Sequence, residues 1–145
     1  MSFWRLYYHL TWATSHREPW LKGRVKRMVY GTISRKAEEL RVLVHQIGNA
    51  EDHIHLVVSI PPSISVAHCV RNLKGASSHY VNARGKLDWH FEWQRGYGVV
   101  SLGERSLPRV KSYVRNQRVH HAEGTTISYL ERSGVDDNVR KKGLK

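Results

Sequence analysis

Asp52-His53-Ile54-His55-Leu56-Val57-Val58-Ser59-Ile60 reads as a β-strand, because its side chains alternate in character and successive strand residues point to opposite faces of a sheet. Ile54, Leu56, Val58 and Ile60 fall on one side and form a core face. His53, His55, Val57 and Ser59 fall on the other. The segment before it, Arg41 to Ile47, is a second apolar, β-branched run, and Gly48-Asn49-Ala50-Glu51-Asp52 between them supplies turn residues. The two strands therefore form a hairpin. Pro61-Pro62 ends it.

On the N-terminal side, Trp4 to Thr14 is rich in aromatic and β-branched residues and gives a first strand. Leu21, Val25, Met28, Val29, Ile33, Ala37 and Leu40 then recur at spacings of three and four, the signature of an amphipathic helix. Its opposite face carries Lys22, Arg24, Lys26, Arg27, Arg35 and Lys36. On the C-terminal side, Ser63 or Ser65 caps a helix through Val66, Val70, Leu73 and Val81, interrupted in propensity by Gly75. Gly96 to Ser101 gives a short fourth strand, and Ser106 caps a helix from Leu107 to about His121, with Pro108 in its first turn. A short helix is expected within residues 124–135.

The order β-α-β-β-α-β-α predicts an α+β, ferredoxin-like (RRM-like) fold: an antiparallel sheet with helices on one face, plus a C-terminal tyrosine-bearing helix. The other sheet face is expected to be open, a surface that in basic proteins of this plan meets nucleic acid. Residues 1–135 form a single domain and 136–145 a basic, loose tail.

The composition bounds the function classes. The chain has 145 residues and 24 Lys and Arg against 12 Asp and Glu, a formal charge of +12. Such an excess points to a polyanionic partner, nucleic acid first. One cysteine, Cys69, excludes an intramolecular disulfide. No apolar run approaches a membrane span, and five Trp and seven Tyr argue against disorder. The expected product is a soluble, intracellular domain, cytoplasmic and nucleoid-associated, with no membrane partner.

Two constellations carry chemistry. His53 and His55, spaced i, i+2, project from the same strand face, where two imidazoles can hold a divalent cation and leave positions for phosphate oxygens. Two unrelated surface histidines would give the same spacing. In the last helix, Tyr113 and Gln117 are i, i+4 neighbours on the edge of a stripe formed by Leu107, Val110, Val114 and His121. A phenol can serve as nucleophile and an amide oxygen as a neutral ligand. Arg109, Lys111, Arg115 and Arg118 make this helix strongly basic.

His53-Ile54-His55 resembles the HUH motif (His, hydrophobic, His), and Tyr113-Val-Arg-Asn-Gln-Arg-Val-His-His121 resembles the tyrosine helix of single-tyrosine HUH transposases of the insertion-sequence 200/605 type. Tyr8 to Thr14, Leu73 to Ser78 and Phe91 to Gly98 are similar to the same family in the same order. The resemblance implies metal-dependent transposition of single-stranded DNA. Tyr113 would form a 5′-phosphotyrosine intermediate; His53, His55 and Gln117 would hold Mg²⁺ or Mn²⁺. It further implies DNA with hairpin ends as partner, and a homodimer whose composite active sites exchange tyrosine helices. Domesticated repeat-associated relatives share the nicking chemistry and can be monomeric.

Two readings from other classes make different demands: a non-catalytic nucleic-acid-binding domain, and a phosphodiesterase that uses water. Cys69 reads as packing. His120 and His121 read as caps of a helix C-terminus, with acid–base assistance as the second option. Arg71 and Lys74 are candidates for phosphate contact or a solvated helix face, and Trp89 and Trp93 for base stacking or core packing.

Overall fold

The computed structural model describes residues 2–133; residues 134 and 135 of the expected domain and the tail at 136–145 lie outside the described residues. Strands β1 (Tyr7–Ala13), β2 (Leu43–Ala50), β3 (His53–Ser59) and β4 (Gly98–Leu102) form one sheet in the order β2-β3-β1-β4, with every neighbouring pair antiparallel. Helix α1 (Gly23–Glu39) joins β1 to β2, and α2 (Val66–Arg84) joins β3 to β4. This is the expected ferredoxin-like arrangement. The hairpin turn is shorter than the sequence suggests: β2 continues through Gly48, Asn49 and Ala50, leaving Glu51 and Asp52 as the turn.

The main core lies between the sheet and α1 and α2. Leu10, Trp12, Ile54, Leu56 and Val58 point from the sheet at Val29, Ile33, Cys69, Val70 and Leu73, and all are buried. The apolar stripe of α1 makes this contact as its spacing dictates, leaving Arg24, Arg27 and Arg35 exposed. Ser65 caps α2, its hydroxyl oxygen accepting from the His68 N–H at 3.0 Å. The helix runs unbroken through Gly75, because the buried stripe offsets a propensity loss of about 1 kcal/mol. Cys69 is packing, as expected.

The other face of the sheet is not open. The expected long helix is broken at Asn116 (φ −102°, ψ 29°) into α3 (Leu107–Arg115) and α4 (Gln117–Glu123), and a short α5 (Ser128–Glu131) follows. These segments fold back over β1–β4 and build a second, smaller core of Val57, Val110, Tyr113, Val114 and Leu130. Every residue of β3 is consequently buried, the histidines included. The physical reason is visible in the sheet register. Gly48, His55, Thr11 and Gly98 lie side by side across the four strands. The outer two have no side chain, so backbone can descend onto the sheet on both sides of His55. A β-carbon on Gly48 would lie 1.8 Å from the Val114 carbonyl oxygen, and one on Gly98 would lie 1.7 Å from that of Arg132.

Candidate active site

β3 supplies two imidazoles from a rigid element. His53 and His55 stand on the face opposite the main core, their rings 4.9 Å apart, with His53 3% and His55 0% exposed. The Asp52 carboxylate lies 2.6 Å from His53 Nδ1, and Arg17 lies 3.7 Å from the other Asp52 oxygen. Behind His55, His9 of β1 places its Nε2 2.8 Å from His55 Nδ1. Each ring is therefore held at Nδ1, and each turns Nε2 toward the C-terminal helices.

Those helices bring the remaining groups. Glu131, at the end of α5, sets its Oε1 2.9 Å from His53 Nε2, 3.2 Å from His55 Nε2 and 3.1 Å from His121 Nε2. Its Oε2 accepts a short hydrogen bond from the Tyr113 hydroxyl. The Ile127 N–H donates to the same phenol oxygen at 2.9 Å, and the His120 ring stacks on the phenol at 4.6 Å. Gln117 donates from Nε2 to the Tyr113 carbonyl at 3.1 Å, which leaves Oε1 facing His121 Nε2 at 3.1 Å. All four residues singled out in the sequence, His53, His55, Tyr113 and Gln117, thus join one hydrogen-bonded network within a single chain.

The break at Asn116 changes how Tyr113 and Gln117 are presented. Neither lies on an edge: Tyr113 is 3% and Gln117 1% exposed. His121 lies exposed in the last turn of α4, as a cap would, but its Nε2 turns inward. It sits i, i+4 from Gln117, a spacing visible in the sequence, and shares the Glu131 oxygen with His53 and His55. Glu131 itself has no sequence signal, since it is a single acid in a four-residue helix.

The electrostatics follow from burial and partners. Burial holds the His55 imidazole down at about 4, and burial beside His55 holds His9 down at about 3. Burial would also lower His53, but its hydrogen bonds to Asp52 and Glu131 outweigh that and raise it. Burial would raise Glu131, but the surrounding histidines hold it well below the usual carboxylate range. The Tyr113 phenol is pushed up to about 12 by burial and by the neighbouring Glu131 carboxylate. At neutral pH it is a protonated phenol.

The donor set suits a divalent cation. One ligand atom from each of His53, His55, His121 and Glu131 lies within 4.8 Å of the other three. Imidazole nitrogens with a carboxylate oxygen favour Mn²⁺ over Mg²⁺, which prefers all-oxygen shells.

A family model described as "Transposase IS200 like" matches residues 2–117, most of the chain. The chain belongs to the IS200-like transposase family. This transposase is 28% identical over 130 residues to the transposase for insertion sequence element IS200 of Salmonella typhimurium, covering 86% of this chain and 85% of that one. It is 26% identical over 119 residues to the ISDra2 transposase TnpA of Deinococcus radiodurans, covering 79% and 85%. Its fold matches the crystal structure of a transposase candidate from Deinococcus radiodurans with a TM-score of 0.65 at 25% identity, over 80% of this chain and 93% of the other. A REP-associated tyrosine transposase solved with a REP hairpin superposes with a TM-score of 0.65 over 98% of this chain and 87% of that one, a likeness of fold at 17% identity. The transposase is a DNA-processing enzyme, and none of its described helices is long and apolar enough to cross a membrane.

Three of the other sequence candidates make contacts within the fold. Trp93 is a core residue whose indole N–H donates to Ser77 Oγ at 2.9 Å, and Trp89 stacks on Trp20 at 4.6 Å. Lys74 donates from Nζ to the carbonyls of Gln94 and Gly96, at 2.8 and 2.9 Å. Its ammonium thereby pins the loop that leads into β4. Arg71 stays exposed on α2.

Proposed function

We propose that this transposase nicks and rejoins single-stranded DNA at hairpin-bearing element ends, with Tyr113 as the nucleophile. The observation that carries this reading is the Tyr113 hydroxyl, which lies inside the histidine cluster and is tied to it through one carboxylate. His53, His55 and Gln117 are the ligands implied by the family resemblance, and the cluster adds His121 and Glu131 as further donors. A cation bound there would neutralise charge on the scissile phosphate and stabilise the departing 3′ oxygen.

Tyr113 decides the reaction class. Its oxygen attacks phosphorus and leaves a 5′-phosphotyrosine and a free 3′-OH. The phosphodiester is exchanged rather than hydrolysed, so a second 3′-OH reverses the step without ATP. A water-dependent phosphodiesterase would have no use for a phenol buried against the metal-ligand cluster. Arg109, Arg115 and Arg118 stand exposed on α3 and α4 and suit contact with the phosphate backbone. The hairpin held by the REP-associated neighbour supports a structured single strand as the partner. Such a substrate is met in the cytoplasm, at the nucleoid.

The family resemblance implies a homodimer with exchanged tyrosine helices. The geometry supports a site completed in cis, because a chain's own α3 already carries Tyr113 to its own histidines.

The test is a denaturant-resistant protein–DNA adduct formed with single-stranded element ends and Mn²⁺. Wild type forms it and Tyr113→Phe does not. An adduct undiminished in Tyr113→Phe, or none with wild type, rejects the reading in favour of a basic binding module.

A further inference from the structure

The Glu131 carboxylate is divided between two tasks. Oε1 is held by three imidazole nitrogens, from His53, His55 and His121, and would join them as a ligand to a cation bound there, so the group is restrained with or without the ion. Oε2 therefore stays on the Tyr113 hydroxyl. The phenol oxygen is equally constrained, because the Ile127 N–H engages one lone pair and the O–H bond points at Glu131. One lone pair is left to meet phosphorus. Glu131 and Ile127 both lie beyond the residues matched by the family model.

The geometry points to Glu131 as the catalytic proton acceptor for Tyr113. This rests on the nucleophilic role proposed for Tyr113 above. As the Tyr113 oxygen bonds to phosphorus, its proton passes to Glu131 Oε2. The bond from phosphorus to the 3′ oxygen breaks, and that oxygen takes a proton from water. Glu131 then returns its proton to solvent. Phenol and phosphodiester enter; phosphotyrosine and a 3′-OH leave, with no net change in protons. In rejoining, Glu131 first takes a proton from solvent; the incoming 3′-OH loses its proton to water and Glu131 hands its own to the departing phenolate.

In the resting site the proton stays on the phenol, whose O–H donates to Glu131 Oε2. That argues for transfer during bond formation, when a phenol oxygen becoming bonded to phosphorus turns strongly acidic and even a weak base can take the proton. It also protects the site, since a tyrosinate is not left standing beside the cluster between turnovers.

The experiment measures single-turnover adduct formation at saturating Mn²⁺ for wild type, Glu131→Gln, Glu131→Asp and Glu131→Ala. Mn²⁺ affinity is followed by electron paramagnetic resonance and hairpin binding by gel shift. Glu131→Gln is expected to bind hairpin DNA normally and to form adduct ~100-fold or more slowly even with Mn²⁺ saturating, in the usual range for a lost acid–base group. Glu131→Asp, which keeps the carboxylate, should retain more activity, and added formate should partly restore Glu131→Ala. Adduct formation by Glu131→Gln at the wild-type rate once Mn²⁺ saturates would make Glu131 a ligand only. A faster rate would make it a latch that holds Tyr113 back. Either result overturns the proposal and leaves Tyr113 as nucleophile intact, whereas a wild type that forms no adduct takes both down.

Discussion

Gly48 approaches Val114 so closely that a single added methyl would fall 1.8 Å from the Val114 carbonyl oxygen. This contact seats the end of α3 on the sheet directly beside His55, the cross-strand partner of Gly48. Tyr113 is the residue before Val114, so the contact sets how near the phenol comes to the imidazoles. Gly98 does the same work on the far side, under Arg132, the neighbour of Glu131.

Gly48→Ala and Gly98→Ala are therefore expected to lift the C-terminal segments while leaving the α1–α2 core folded. Overpacking of this kind costs roughly 1–3 kcal/mol, readable as a lower midpoint in urea. Adduct formation should fall by more than stability, since Tyr113 and Glu131 are displaced from His53 and His55. Wild-type midpoints in both variants would refute the close approach.

Stability should rise steeply with pH between about 4 and 6.5. The unfolded chain carries His9 and His55 with ordinary histidine behaviour and charges them below about 6.5. The folded chain keeps them neutral down to about 3 and about 4. In that window the unfolded state binds more protons, so stability is lost as pH falls, at about 1.4 kcal/mol per unit for each such group. Glu131, held low, adds to the loss below its unfolded value. His53 works in the opposite sense: its raised affinity for a proton contributes below the unfolded value and is lost as pH rises through its folded one. Thermal midpoints of the metal-free protein should climb from pH 4 to 6.5 and then flatten or dip. A flat profile across the acid window would contradict the burial of His9 and His55.

Mixing variants separates a site completed within one chain from a shared one. Tyr113→Phe and His53→Ala each lack one half of the chemistry. If tyrosine helices were exchanged between copies, a mixture would regain adduct formation through hybrid sites. With the cis geometry, the mixture is expected to stay at the level of the single variants. Recovery approaching a quarter to a half of wild type would establish exchange.

The sheet and its main core were legible in the sequence because period-2 and period-3.6 patterns bury complementary stripes: Ile54, Leu56 and Val58 against Val29, Ile33, Val70 and Leu73. The histidine pair and Tyr113 were legible for the same reason, each sitting at a defined phase of a strand or helix. What escaped was everything set by the chain folding back. The break at Asn116 has no Gly or Pro to mark it, and an uninterrupted helix satisfies the same local pattern. The descent of α3 and α5 onto the sheet depends on Gly48 and Gly98 being aligned with His55, a relation of register across four strands. Glu131 enters the site only through that descent.

His9 is expected to report cation binding through its tautomer. With Glu131 Oε1 3.2 Å away, His55 Nε2 donates its proton there in the metal-free protein. Its Nδ1 must then accept from His9 Nε2, 2.8 Å behind it. A cation needs the lone pair of His55 Nε2, so the proton moves to Nδ1. The hydrogen bond to His9 reverses, and His9 must release its proton from Nε2 and carry it on Nδ1. Nitrogen-15 spectra of the imidazoles, recorded before and after Mg²⁺, should show His9 changing tautomer although it never touches the ion. Because this partner orients a ligand, His9→Ala should weaken Mn²⁺ binding by roughly 10–100-fold. His9→Gln, which keeps an acceptor oxygen at that position, should recover part of the loss. An unchanged His9 tautomer with Mg²⁺ demonstrably bound would mean that His55 does not ligate the ion through Nε2.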